Sequence, residues 1–239
     1  MSITLYSCST SKKLANQSYQ PAGIDAASIV SKIPDNKDQL YSVKGEGRAI
    51  VSEPGNTERV TLLFASNRQK SLVTIRNGIG IEGGQLLTDG DTLLIYNKID
   101  KYARKIPIHG SNLDHINRLA ALNILDIISY SFSAGEVQEI LENDETYKLI
   151  LAAGAKVYID KQSYLVQKVV QPEYSQLPYS KITYDAYGSL NGFTLPRRIT
   201  IFGAEEKSKI ALQLTALKLN PDLNSLTINL PNDIPVYYR

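Results

Sequence analysis

Between Tyr147 and Asn220 the chain divides into six short runs, YKLILAA, AKVYID, SYLVQKVVQ, SKITYDAY, FTLPRRITIF and KSKIALQLTALKLN. The links between them are AG, DKQ, PEYSQLP, GSLNG and GAEE. A parallel pair of strands needs a crossover of about a dozen residues or more, so links this short make consecutive runs antiparallel neighbours. This spacing dictates a meander in which each strand turns one face toward a core.

The first half of the chain has the same period. QLYSVKGEGRAIV and ERVTLLFAS are separated by the Pro-Gly-Asn loop SEPGNT, and SLVTIRN follows the polar turn NRQK. IGIEGGQLLT and DTLLIYNK are joined through DGD, a strong hairpin signal, and KYARKIPI adds a further strand. The expected architecture is mainly β, about ten or eleven antiparallel strands, interrupted by a helical insertion at about 111–143. Within SNLDHINRLAALNILDII, Leu113, Ile116, Ala120, Ile124 and Ile127 fall on one helical stripe that Leu119 and Ile128 widen. In SFSAGEVQEILEN, Ser133 and Glu136 have capping-box spacing before Val137, Ile140 and Leu141, which predicts a second helix. Asp25 is placed to cap a short helix carrying Ile29, Val30 and Ile33.

Charge and cysteine content narrow the function. The 239 residues carry 26 Lys and Arg against 24 Asp and Glu, without a basic run, so no footprint for nucleic acid is visible. Cys8 is the single cysteine, which excludes an internal disulfide. It ends the tetrapeptide LYSC, which has lipobox spacing, yet only seven residues precede it and they form no signal-peptide core. Residues 1–8 thus read either as the remnant of a signal with its lipidation site or as a terminal stretch with an ordinary thiol. Residues 9–23 read as a polar tether and 24–239 as a single domain.

Gly78, Gly80 and Gly83 in IRNGIGIEGG spell the dinucleotide-binding G-x-G-x-x-G. That fingerprint needs a helix opening inside the glycines to bind phosphate. Here the run leads into a strand and an Asp-Gly turn, so the match is accidental. His109 and His115 have no metal-ligand spacing, and Asp89 and Asp91 are explained by turn chemistry. The acidic stretch Glu142 to Glu145 reads as a solvated loop, and no G-x-S-x-G occurs. The sequence gives no support for an enzyme, a metal or a cofactor.

The order of parts resembles the outer-membrane lipoprotein carrier and receptor superfamily of Lol-type half-barrels. It is most similar to the DUF4292 type of lipoproteins from Bacteroidetes-like bacteria. The matching pieces are LYSVKGEGRAIV with its small-residue core, LVTIRNGIGIEGGQLLTDGDTLLIYN, FSAGEVQEIL as a lid helix, and GFTLPRRITI and LTINLPNDIPVYY toward the end. The resemblance implies an incomplete antiparallel barrel curled around an apolar cavity, with helices over its mouth, that accepts acyl chains. It implies a lipid anchor at Cys8, the periplasmic face of the outer membrane, and a periplasmic carrier protein as a possible partner. Cavity candidates are Leu62, Phe64, Val73, Ile75, Leu93 and Ile95 from the strands and Ile116, Leu119 and Ile127 from the lid. In the receptor member an Asn-Pro-Leu-Gly loop touches the membrane. Asn77-Gly78-Ile79-Gly80 corresponds to it here, making Ile79 the membrane-contact candidate, unless it is a strand residue beside a glycine bulge. A filled core that docks a protein partner in an envelope complex is the alternative, since alternation alone does not distinguish a lined cavity from a packed one.

Overall fold

The computed structural model describes residues 18–34, 36–109, 115–204 and 206–238, without the side chains of His115 and Ile116. Cys8 and most of the tether lie outside the described residues, as does Leu113. In chain order the strands are Gln20–Pro21 (β1), Ser42–Glu53 (β2), Asn56–Asn67 (β3), Ser71–Arg76 (β4), Glu82–Thr88 (β5), Thr92–Asn97 (β6) and Tyr102–Pro107 (β7). They continue with Val137–Glu142 (β8), Thr146–Leu151 (β9), Lys156–Asp160 (β10), Val166–Val170 (β11), Tyr179–Leu190 (β12), Phe193–Gly203 (β13), Lys209–Leu219 (β14) and Val236–Tyr238 (β15). The helices are Ala26–Val30 (α1), His115–Ala120 (α2) and Ile124–Ile128 (α3).

All fifteen strands join one open sheet, ordered β1-β8-β9-β10-β11-β12-β13-β14-β2-β3-β4-β5-β6-β7-β15. Two meanders, β2 to β7 and β8 to β14, are welded side by side where β14 pairs antiparallel with β2 from Lys209↔Ser52 to Leu219↔Val43. The pairing within each meander is antiparallel throughout, whereas β15 lies parallel to β7 at one edge. The core sits on the concave face, where Leu149, Val157, Ile159, Val169, Ile182 and Ile199 are fully buried together with Ile29 of α1 and Leu125 of α3.

The small residues of β2 let the sheet bend. A Cβ at Gly45 would lie 2.5 Å from the Ala216 carbonyl oxygen and 2.7 Å from Phe64 Cζ, and one at Gly47 would lie 2.7 Å from Leu212 Cδ1. No side chain fits there, so these neighbours close over the strand.

After Asn220 the chain crosses to the opposite edge. Ser42 Oγ donates to the Pro221 carbonyl at 2.7 Å at the start of this crossing. Ile228, Leu230 and Ile234 then pack on Leu94, Tyr96 and Ala103, the face of β6 and β7 turned away from Leu93 and Ile95. The crossing ends in β15, which caps the β7 edge.

The structure corrects two helix expectations. FSAGEVQEIL is not a lid helix: Ser133 and Glu136 do form the capping interaction, with the Ser133 N–H donating to the Glu136 carboxylate at 2.7 Å, but only one turn follows. From Val137 the chain becomes strand β8, because its backbone pairs with β9 from Val137↔Leu151 to Glu142↔Tyr147. The stripe read over 111–128 is split into α2 and α3 at Asn123, whose Oδ1 accepts the Leu125 N–H at 2.9 Å and opens a new helix.

Candidate functional site

Along the concave face, paired positions put like residues side by side. Val73 lies opposite Leu86 and Leu86 opposite Ile95, Leu62 opposite Ile75, and Ile201 opposite Ile210, which is itself opposite Val51. These side chains do not meet at the centre. They enclose a cavity of about 360 Å³, within the range of about 300–1,000 Å³ usual for small-molecule sites. One end is lined by Leu119 and Ala120 of α2, by Leu122, and by Ile124, Ile127 and Ile128 of α3. At the other end the lining turns polar at the β2–β3 hairpin, with half-buried Glu53 and exposed Asn56 and Glu58. Asn117 is the remaining polar residue of the lining.

No protein-family model matches the chain, and no curated protein matches it in sequence. Solved structures do match. A LolA superfamily protein from Nitrosomonas europaea superposes with a TM-score of 0.55 at 14% identity, over 84% of this chain and 96% of that one. A domain assigned to an outer membrane lipoprotein-sorting protein of Vibrio parahaemolyticus gives 0.54 at 12% identity, over 83% and 93%. A DUF1329 family protein from Desulfovibrio piger gives 0.54 at 13% identity, over 84% and 96%. The fold is a LolA-like half-barrel.

Helix α3 is bolted onto the half-barrel by polar side chains that periodicity did not reveal. Ser66 Oγ donates to Asn123 Oδ1 at 2.7 Å, and Asn123 Nδ2 donates to the Asn67 carbonyl at 2.8 Å. Ser66 is fully buried and Ser71 nearly so, beneath the start of the helix. Arg68 adds a second fastening: its guanidinium donates to Asp126 at 2.9 Å and to the carbonyls of Leu40 and Lys37 at 2.8 and 3.0 Å. Such serines and asparagines read as turn residues in sequence, because their partners lie more than fifty positions away. Behind α3, burial raises the Tyr130 and Tyr184 phenols, so both stay neutral; their rings lie 6.4 Å apart.

Of the candidate cavity residues, Leu62, Val73, Ile75, Ile95, Leu119 and Ile127 line the cavity of the half-barrel. Two do not. Phe64 is buried in the packed core with its ring against Gly45, and fully buried Leu93 packs with Ile106 in a separate cluster. Strand phase was right for both, but the space beside them is filled. The side chain of Ile116 lies outside the described residues. Sequence reasoning missed the wall given by Ile201, Ile210 and Leu212, because the pairing of β14 with β2 is not visible in local periodicity, and it passed over Val51, Val60 and Leu86 on strands it had read.

The glycine-rich stretch is a turn between β4 and β5. Asn77 Oδ1 accepts the N–H groups of Ile79 and Ile81 at 3.1 and 2.9 Å, and Gly80 takes the left-handed φ of +87°. Strand β5 begins before Gly83, and the register shifts between Ile75 and Arg76, so Gly83 is bulged. No helix opens inside the glycines. Ile79 is 82% exposed and is not part of the cavity lining; Ile81 is exposed as well, and so is Ile99 in the turn between β6 and β7 at the same end of the sheet. The β2–β3 hairpin at the cavity mouth is on that end too, since Thr61 pairs with Arg76. Among the described residues no cluster of three His, Cys, Asp or Glu side chains could hold a metal ion.

Proposed function

We propose that this half-barrel binds acyl chains in its cavity and acts as a carrier or acceptor of lipids or lipoproteins in the bacterial envelope. The observation behind this reading is the cavity itself, with six of the nine strand and lid candidates on its wall. A space of this kind left open beneath a fastened lid favours a ligand over a filled core that only docks a partner. Each methylene moved from water into it contributes about 0.8 kcal/mol, so a lined groove competes with a bilayer for a chain. The finer reading places the protein at the periplasmic face of the outer membrane, anchored through a lipidated Cys8 and loaded by a periplasmic carrier protein, as in a DUF4292-type lipoprotein. It assigns no catalytic step and no cofactor.

The direct test is displacement of a fluorescent fatty alcohol from the full-length chain by unlabelled long-chain alcohol. Saturable binding at one site is expected, and absence of saturation sinks the proposal.

The exposed isoleucines extend the reading to the membrane. Ile79, Ile81 and Ile99 form an apolar rim on the end of the half-barrel that carries the cavity mouth. Lys98, paired with Glu82 at 3.1 Å, and exposed Lys101 lie in the same turn as Ile99 and Asp100. Insertion of one isoleucine contributes about 1.5–3 kcal/mol. Ile79→Glu in the unlipidated chain is therefore expected to weaken co-sedimentation with vesicles containing anionic lipid by about tenfold or more. Unchanged sedimentation removes Ile79 from the membrane contact.

A further inference from the structure

The cavity also limits what can enter it. A dry apolar cavity of about 150 Å³ accommodates one benzene ring, six carbons. By proportion, 360 Å³ accommodates about fourteen. That is one linear chain of middle length, since two such chains side by side need twice the space. Ile124, Ile127 and Ile128 of α3 line the cavity, and α3 starts over Ser66 and Ser71, the strand ends away from the β2–β3 hairpin, held there by the Asn123 and Arg68 bonds. A chain therefore enters methyl first from the β2–β3 hairpin and stops against α3, leaving its head at the hairpin.

At that position the charged lining residues are Glu53 and Glu58, both carboxylates. Both face inward, in the alternating phase shared by Val51 and by Val60 and Leu62. Asn56 Nδ2 donates to Glu58 Oε1 at 3.3 Å, and neither carboxylate pairs with a cation among the described residues. A head stopped at this mouth meets two negative charges and the acceptor oxygens they carry. An ammonium is attracted there, a hydroxyl is tolerated, and a carboxylate or phosphate is repelled.

Resting on the acyl-binding reading, we infer that the ligand is a single-chain amphiphile of about fourteen chain carbons whose head is an amine or uncharged. Its source is a free amphiphile or one chain of a larger lipid, and the competitors below distinguish these.

The test is competition against a fluorescent fatty alcohol on the full-length chain, using primary alkylamines, alcohols and carboxylates from octyl to octadecyl, each below its micelle-forming concentration. Affinity is expected to rise with length and level off near tetradecyl, with one ligand per chain by native mass spectrometry. Tetradecylamine is expected to compete about tenfold better than tetradecanoate at neutral pH and low salt, and the ratio to fall to near one in the Glu53→Gln, Glu58→Gln double variant. Ile124→Ala, which removes about three carbons from the α3 end, is expected to move the plateau outward by about that length. A two-chain phosphatidylethanolamine that competes weakly supports a free single-chain ligand; one that competes through a single inserted chain, at unchanged plateau length, supports the larger source. Affinity that climbs through octadecyl in the parent chain, two chains bound per protein, or an amine preference unchanged in the double variant overturns the inference while leaving acyl binding intact. If no alcohol of any length competes and the probe itself does not saturate, the acyl-binding reading fails with it.

Discussion

Gly45→Val is expected to destabilise the protein by about 3 kcal/mol, read as a lowered midpoint in denaturant at unchanged slope. The added Cβ alone would lie 2.5 Å from the Ala216 carbonyl oxygen, which belongs to the backbone of β14 and cannot rotate away. The remaining methyl groups would press on Phe64, whose ring already lies within 2.7 Å of that position and is almost fully buried. Relief requires β14 and β2 to move apart, and that pair joins the two meanders. A loss under about 1 kcal/mol would mean that the junction is softer than its packing indicates.

Ile75→Trp, three strands from β14 across the same concave face, has the opposite character. Ile75 is half-buried and its side chain borders empty space, so the indole grows into the cavity without displacing packed neighbours. Stability is expected to be unchanged or slightly raised, because filling an apolar void restores contacts its lining lacks. Acyl binding should suffer. If the indole excludes even four chain carbons at about 0.8 kcal/mol each, affinity falls by about two hundredfold. A fluorescent fatty alcohol that binds Ile75→Trp as tightly as the parent, with the thermal midpoint maintained, places the chain elsewhere. The two substitutions together separate packed from unpacked positions on one face, a distinction that burial pattern in sequence does not make.

The strands were legible because their signal is local. Alternation plus turn residues such as Pro54-Gly55 and Asp89-Gly90 locate hairpins, and the twelve runs quoted above all correspond to strands of the sheet. The expected total was about ten or eleven, and the three strands that no quoted run covers are missing for identifiable reasons. Strand β8 has Val137, Ile140 and Leu141 at helical spacing behind a genuine cap, and only pairing with β9 overrides it. Strands β1 and β15 are two and three residues long and exist because an edge is available.

The site was legible only in part. Six candidates line the cavity: Leu62, Val73, Ile75 and Ile95 because strand phase was correct where both neighbours in the sheet are sequential, and Leu119 and Ile127 because helical periodicity placed them on the inward stripe. The wall from β13 and β14 escaped notice because it depends on a pairing between residues more than 150 positions apart, which no local pattern encodes. The mouth escaped notice too: Glu53 and Glu58 look like ordinary hairpin charges until the register turns both inward.

The junction of β14 with β2 has a consequence for the order of events during synthesis. Strands β2 to β7 emerge first and can zip into hairpins with their immediate neighbours, but their apolar concave face has no opposite wall until β13 and β14 follow, roughly a hundred residues after β7 has emerged. The nascent chain thus carries half of a greasy trough through close to half of its production. The enclosed cavity is among the last things the ribosome makes possible, and a chain halted before residue 209 would display the trough without ever enclosing it.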